Sequence, residues 1–156
     1  MPFETTSFSS QGEPQGEPQG EPQGEPQGGP AQRELSILLV EDSAPLCARL
    51  IEMLTHAGTM RVTAVADTET AALELVRLQQ FDVMVVDVEL REGSGVTVVR
   101  KTRAEYSLRP FPLIIVLTNF DRKSVRERCL AAGADHFLDK AREFERLYPL
   151  ILSASN

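Results

Sequence analysis

Five times along this chain a short, largely aliphatic run gives way to a stretch patterned for a helix. That alternation constrains the fold more than any single residue. The runs are Ile37–Val40, Arg61–Ala66, Val83–Val86, Leu113–Thr118 and a short His136–Leu138. Most are unbroken and rich in β-branched residues, the pattern of strands buried on both faces of a parallel sheet. Between them apolar residues follow the helical period. Leu46, Leu50 (or Cys47), Met53 and Leu54 share a face in a helix from Ala44 to about Ala57, with Gly58 as its stop. Ala72, Leu75, Val76 and Gln79 do so in a second, capped by Asp67 or Thr68. A third spans Val96 to about Tyr106, and a fourth runs from an Asp121 cap to Ala132 and stops at Gly133. A final helical segment follows the last strand. Right-handed crossovers between parallel strands put helices on both faces. The expected fold is α/β, a doubly wound five-stranded parallel sheet in a three-layer sandwich.

Sheets of this kind bind ligands beyond the carboxyl ends of their strands. The first strand stops at Glu41-Asp42, the third at Asp87, the fourth at Thr118-Asn119 and the fifth at Asp139-Lys140. The second ends blandly at Ala66-Asp67, which fits an edge position outside the cluster. Glu41 and Asp42 are adjacent like charges at the rim of an apolar core, where both lose solvation and repel. With Asp87 they call for a counter-charge. Mg²⁺ is the economical choice, because it prefers oxygen ligands and retains several waters. A lysine opposite balances the charge if a phosphoryl group is also present, and Thr118 is placed to donate a hydrogen bond to it. An aspartate beside such an ion is also a plausible phosphoryl acceptor. Asp42 or Ser43 also fits the N-cap of the first helix, with Pro45 in its first turn.

The first thirty or so residues differ from the rest. From Gln11 the tetrapeptide Gln-Gly-Glu-Pro runs four times and decays into Gln27-Gly28-Gly29-Pro30. Such a segment offers almost nothing apolar to bury, so residues 1–32 are expected to be a disordered low-complexity tail, leaving residues 33–156 as one domain. The formal charge of −7 is misleading, because five acids and no base lie in that tail. The remainder carries eighteen acids against sixteen bases, so no basic field points to nucleic acid. The N-terminus does not read as a secretory signal, and no apolar run approaches a membrane span. Cys47 and Cys129 sit far apart in helical patterns without metal-type spacing and read as buried reduced thiols, which suits a cytoplasmic protein. His56 and His136 form no ligand pair.

Taken in order, the acidic pair in LLVEDS, the aspartate in FDVMVVDVEL, the threonine in LIIVLTN and the lysine ending GADHFLDK carry a resemblance. Over Ser36–Leu152 the chain resembles a response-regulator receiver domain. The resemblance implies a flavodoxin-like strand order 2-1-3-4-5. It also implies that Mg²⁺ is bound by Glu41, Asp42, Asp87 and the backbone carbonyl of Glu89, and that Asp87 is phosphorylated. Thr118 and Lys140 would hold the phosphoryl oxygens, with Thr118 and the aromatic Phe137 as the switch. Glu89 and Asn119 would flank the path of a hydrolytic water and tune the lifetime of the phosphoryl group. The implied phosphodonor is a histidine kinase or histidine phosphotransfer protein, and the reaction is self-catalysed phosphotransfer rather than turnover of a substrate.

Three positions depart from the common pattern of that family. Ala141 follows Lys140 where many receivers have proline, Arg91 stands where the loop after the aspartate often has proline, and Asn119 replaces a commonly smaller residue. Pro149 should break the last helix or start a new turn near Tyr148. No output domain is expected after that helix, as in stand-alone receivers. A downstream protein is then expected on the face made by the fourth helix, fifth strand and last helix, near the cations Arg122, Lys123, Arg126 and Arg128. A receiver that keeps the fold but binds partners without phosphorylation is the alternative.

Overall fold

Each apolar run becomes a strand and each periodic stretch a helix. The computed structural model describes residues 32–105, 110–119 and 122–154. In chain order the elements are β1 (Leu35–Val40), α1 (Ala44–Leu54), β2 (Met60–Ala66), α2 (Glu69–Leu78), β3 (Val83–Val86), α3 (Gly95–Glu105), β4 (Leu113–Thr118), α4 (Lys123–Ala132) and β5 (His136–Asp139). A short 3₁₀ turn, Phe144–Arg146, leads into α5 (Leu147–Ala154). All pairings between strands are parallel, and the sheet order is β2-β1-β3-β4-β5. This is the flavodoxin-like order.

Two apolar clusters cover the two faces of the sheet. One joins Leu38, Val40, Met84, Val86, Ile114, Val116 and Phe137 to residues of α2, α3 and α4. The other joins Ile37, Leu39, Val85, Ile115, Leu117 and Leu138 to residues of α1 and α5. Alternate residues of each central strand thus point to opposite cores, which is why those strands read as unbroken apolar runs. The edge strand β2 differs. Arg61, Thr63 and Val65 are exposed there while Met60 and Ala66 are buried, as half-covered strands require.

Several boundaries moved from those the sequence predicts. Helix α1 stops at Leu54, with Thr55 as its C-cap, three residues short of Ala57. His56 pairs with Met60 in an antiparallel bridge, so the chain is already reversing. Gly58, at φ 77°, serves that reversal rather than the end of the helix. Thr68 caps α2 by accepting a hydrogen bond from the Ala71 N–H, which settles the choice against Asp67. Gly133, at φ 115°, ends α4 in the left-handed conformation. Pro149 is the third residue of α5, where no intrahelical N–H is needed, so it starts that helix rather than breaking it. The peptide between Lys140 and Ala141 is not cis. Residues 1–31 of the expected tail, the Asp121 cap and the Tyr106 end of the third helix lie outside the described residues.

Candidate functional site

Backbone hydrogen bonds continue past the ends of the strands and set where the polar residues stand. Glu41 N–H donates to the Ala66 carbonyl at 2.8 Å, Asp87 N–H to that of Val40 at 2.8 Å, and Lys140 N–H to that of Thr118 at 3.0 Å. In register, Thr118 lies beside Asp139. The sheet therefore presents Glu41, Asp42, Asp87, Thr118 and Lys140 at one edge.

The structure brings the acids and the lysine together. One carboxylate oxygen from each of Glu41, Asp42 and Asp87 lies within 4.8 Å of the others. Glu41 and Asp87 are only 4% and 7% exposed, and Asp42 lies more open to solvent. Lys140 Nζ donates to Glu41 Oε2 at 2.6 Å and to Asp87 Oδ2 at 2.9 Å, with its side chain 10% exposed. The other oxygen of Glu41, Oε1, accepts the Ser43 N–H at 3.0 Å. Burial pushes the Glu41 carboxyl above its ordinary range, and the Asp87 charge adds to this. The bonds from Lys140 and Ser43 pull it partly back. For Lys140, burial favours the neutral amine, but the two carboxylates together outweigh it and raise its pKa. The ammonium is thus a fixed charge in the site.

Asp42 stands beside the N-terminus of α1 but does not cap it. Ser43 does, its Oγ accepting the Leu46 N–H at 3.4 Å. The Asp42 carboxylate remains with Glu41 and Asp87. Three oxygen donors around an open side match the demands of a hard cation that keeps part of its water shell, so the donor set fits Mg²⁺.

The remaining expected residues occupy the surroundings. Thr118 is buried at the end of β4, and Asn119 just after it is exposed. Glu89 is exposed on the loop after β3 and forms an antiparallel bridge with Ser94 across that loop. Phe137 lies inward, 5% exposed in the cluster under α4, with the Arg126 guanidinium carbon 4.7 Å from its ring centre. Of the other cations, Arg122 at the N-cap of α4 and Lys123 and Arg128 on the helix are exposed. Lys123 faces Glu127 at 3.9 Å.

Sequence reasoning overlooked two supports of the site. Asp139 Oδ1 accepts the N–H groups of Ala141 at 2.7 Å and Arg142 at 3.0 Å, while Glu143 Oε2 accepts the Asp139 N–H at 2.9 Å. This closed turn fixes the chain from which Lys140 emerges. The Asp-x-x turn signature in DKAR was the available signal. The second support is Gly95. A Cβ there would stand 1.9 Å from the Asp87 carbonyl oxygen, so only glycine lets α3 start so close to Asp87.

The sheet order and the three acids facing a lysine define a receiver-type α/β domain. The sequence profile described as "Response regulator receiver domain" matches residues 37–152, and the chain belongs to that family. Receiver domains are the phosphoacceptors of two-component signalling, work with histidine kinases or phosphotransfer proteins, and bind Mg²⁺ at an acidic site. Among curated relatives, a protein-glutamate methylesterase/protein-glutamine glutaminase of Xanthomonas oryzae is 36% identical over 105 residues, 67% of this chain and 29% of its own length. One of the same name from Burkholderia pseudomallei is 31% identical over 112 residues, 71% of this chain and 30% of its own. The chain thus spans about 30% of the length of these relatives.

Among solved structures, the receiver domain of a Pseudomonas aeruginosa sensor histidine kinase is 29% identical, with a TM-score of 0.65. The match covers 79% of this chain and 98% of that one. That structure has a magnesium ion coordinated in its active-site cleft. The response regulator domain of Thermotoga maritima CheB shares the fold at a TM-score of 0.65 and 21% identity, covering 79% of this chain and 94% of that one. No described helix here is long and apolar enough to cross a membrane.

Proposed function

We propose that this chain signals through phosphorylation of Asp87, with Mg²⁺ held by Glu41, Asp42, Asp87 and the Glu89 carbonyl. The observation that carries the reading is the Lys140 ammonium bonded at once to Glu41 and Asp87, with Asp42 completing the acidic cluster. The donor is a histidine kinase or phosphotransfer protein. An Asp87 carboxylate oxygen attacks phosphorus, the P–N bond to the donor imidazole breaks, and that nitrogen keeps the electron pair and takes a proton. Bound Mg²⁺ supplies charge neutralisation for the oxygens of the transferring group. Lys140 exchanges its bond to the Asp87 carboxylate for one to a phosphoryl oxygen, and the Thr118 hydroxyl donates to another. The site then holds a covalent phosphoryl group, which serves as a signal and not as a step of turnover.

The output is a change in protein binding on the face of α4, β5 and α5. Movement of Thr118 towards the phosphoryl group favours the inward Phe137 ring over an outward one. The size of that bias is capped by the difference in phosphoryl contacts between the two states. Glu89 and Asn119 stand beside the approach of the hydrolytic water and lengthen the lifetime of the aspartyl phosphate.

Incubation with phosphoramidate and Mg²⁺ should attach one acid-labile phosphoryl group per chain, and none without the metal. Asp87→Asn should take up none; uptake at the parental level would overturn the assignment. In the same assay Glu89→Asn with Asn119→Ala should shorten the lifetime, and an unchanged decay rate would remove the timing role.

A further inference from the structure

The loop that leaves β3 carries both Asp87 and Glu89, and its far side is gripped by one residue of α2. Glu69 holds that side twice. Its backbone N–H donates to the Glu92 carbonyl at 3.0 Å, and its side-chain Oε2 accepts the Ser94 N–H at 3.0 Å. Oε1 receives Lys101 Nζ at 3.3 Å, and the Glu69 side chain is 19% exposed. Between the two gripped residues lies Gly93, at φ 79°, where a Cβ would come within 2.3 Å of Glu69 Cβ. The loop therefore lies directly against Glu69 at a position that can carry no side chain. Thr70 Oγ1 adds a bond to Glu92 Oε1 at 3.2 Å, and Arg91 reaches Asp67 at 2.9 Å.

This grip reaches the site in two steps. Ser94, held by Glu69, bridges across the loop to Glu89. The next residue, Gly95, donates its N–H to the Val88 carbonyl at 2.9 Å and packs against the Asp87 carbonyl. We propose that Glu69 is a positioning residue of the cation site, its carboxylate setting, through Ser94, where the Glu89 carbonyl stands relative to Asp87. The proposal rests on the Mg²⁺ reading above. An acid in the first turn of a helix is favourable through the helix dipole alone, and an aspartate would serve that purpose equally. The bond to Ser94 needs the full length of glutamate. Reach and charge can therefore be separated.

Mg²⁺ titration calorimetry on the full chain reads this directly. Groups bonded directly to metal ligands alter affinity about ten- to a hundredfold when removed, and Glu69, acting through Ser94, is expected at the low end of that range. Glu69→Asp, which keeps the charge but loses the reach, should weaken Mg²⁺ binding by about tenfold, as should Glu69→Ala. Glu69→Gln keeps an oxygen acceptor for Ser94 and should bind within about twofold of the parent. If Glu69→Ala fails to fold, the Asp and Gln variants still decide the matter. Parental affinity in Glu69→Asp, or a Glu69→Gln protein as weak as Glu69→Asp, would overturn the positioning role while leaving the metal site in place. A parent protein that binds no Mg²⁺ would overturn the metal reading and this one with it.

Discussion

Lys140 neutralises two buried carboxylates with one ammonium, and removing it should show what that arrangement is worth. Lys140→Met keeps the volume but leaves Glu41 and Asp87 facing each other without a cation. Breaking a buried pair by deleting one partner costs about 3 kcal/mol. We expect that loss in urea denaturation at neutral pH without metal. The pH dependence has a definite sign. The raised pKa of Glu41 means that the folded state binds this proton more tightly than the unfolded chain, so its contribution to stability falls as pH rises above the ordinary carboxyl range. The contribution of Lys140, raised as well, is complete below the ordinary lysine pKa and is lost as pH rises through the folded one. In Lys140→Met the Glu41 carboxyl rises further, so mild acid should protonate it and shrink the deficit. A deficit that is unchanged or larger on acidification would contradict this charge account. Glu41, Asp42, Asp87 and Lys140 were legible in the sequence because each follows an apolar run that marks its own strand end. The supporting roles of Asp139, Glu143 and Gly95 were harder to read, because they act through turn geometry and close backbone approach, which leave no periodic trace.

At the level of elements, α1 separates two roles that adjacent residues suggested for one position. Ser43 caps the helix and Asp42 faces the acidic cluster. Ser43→Ala should cost about 1 kcal/mol in thermal or urea unfolding and leave Mg²⁺ affinity nearly unchanged, since the Ser43 N–H that bonds Glu41 is retained. Asp42→Asn should do the reverse, weakening Mg²⁺ while the metal-free fold holds or gains stability by losing a like charge. Stability lost in Asp42→Asn with affinity kept would assign the cap to Asp42 instead. The same helix shows where sequence patterns end. Its apolar face closes at Leu54, and nothing in Thr55-His56-Ala57 opposes another turn locally. The helix stops because the chain must reverse to pair His56 with Met60 and enter β2. Long-range pairing set that boundary, whereas the local glycine at 58 had suggested a later one. For α5 the local signal prevailed, since a proline fits the first turn of a helix wherever the helix begins.

Across the whole molecule, the site exists only as a property of the completed sheet. Glu41 and Lys140 are 99 positions apart in the chain, and Asp87 and Lys140 are 53 apart, yet all three meet through direct hydrogen bonds. An unfolded chain cannot hold these oxygens together, so a cation bound there stabilises the fold by mass action. At a hundred times its dissociation constant the gain is about 2.7 kcal/mol. The thermal midpoint should therefore climb with the logarithm of Mg²⁺ concentration, and the increment should shrink in Asp87→Asn. Among the described residues, the two apolar clusters run from Leu35 to Leu152, and Gln32–Asn156 forms one compact unit. Those clusters, among the described residues, buttress the strands that hold the site. Deleting residues 1–31 should consequently leave the metal-free midpoint, the Mg²⁺ increment and the rate of phosphorylation of Asp87 essentially unchanged. Differential scanning fluorimetry of the full and shortened chains across a Mg²⁺ series checks the first two, and acid-labile phosphate uptake checks the third. A shortened chain whose Mg²⁺ increment collapses would mean that the leading segment helps to build the site, and that the two clusters are not sufficient to support it.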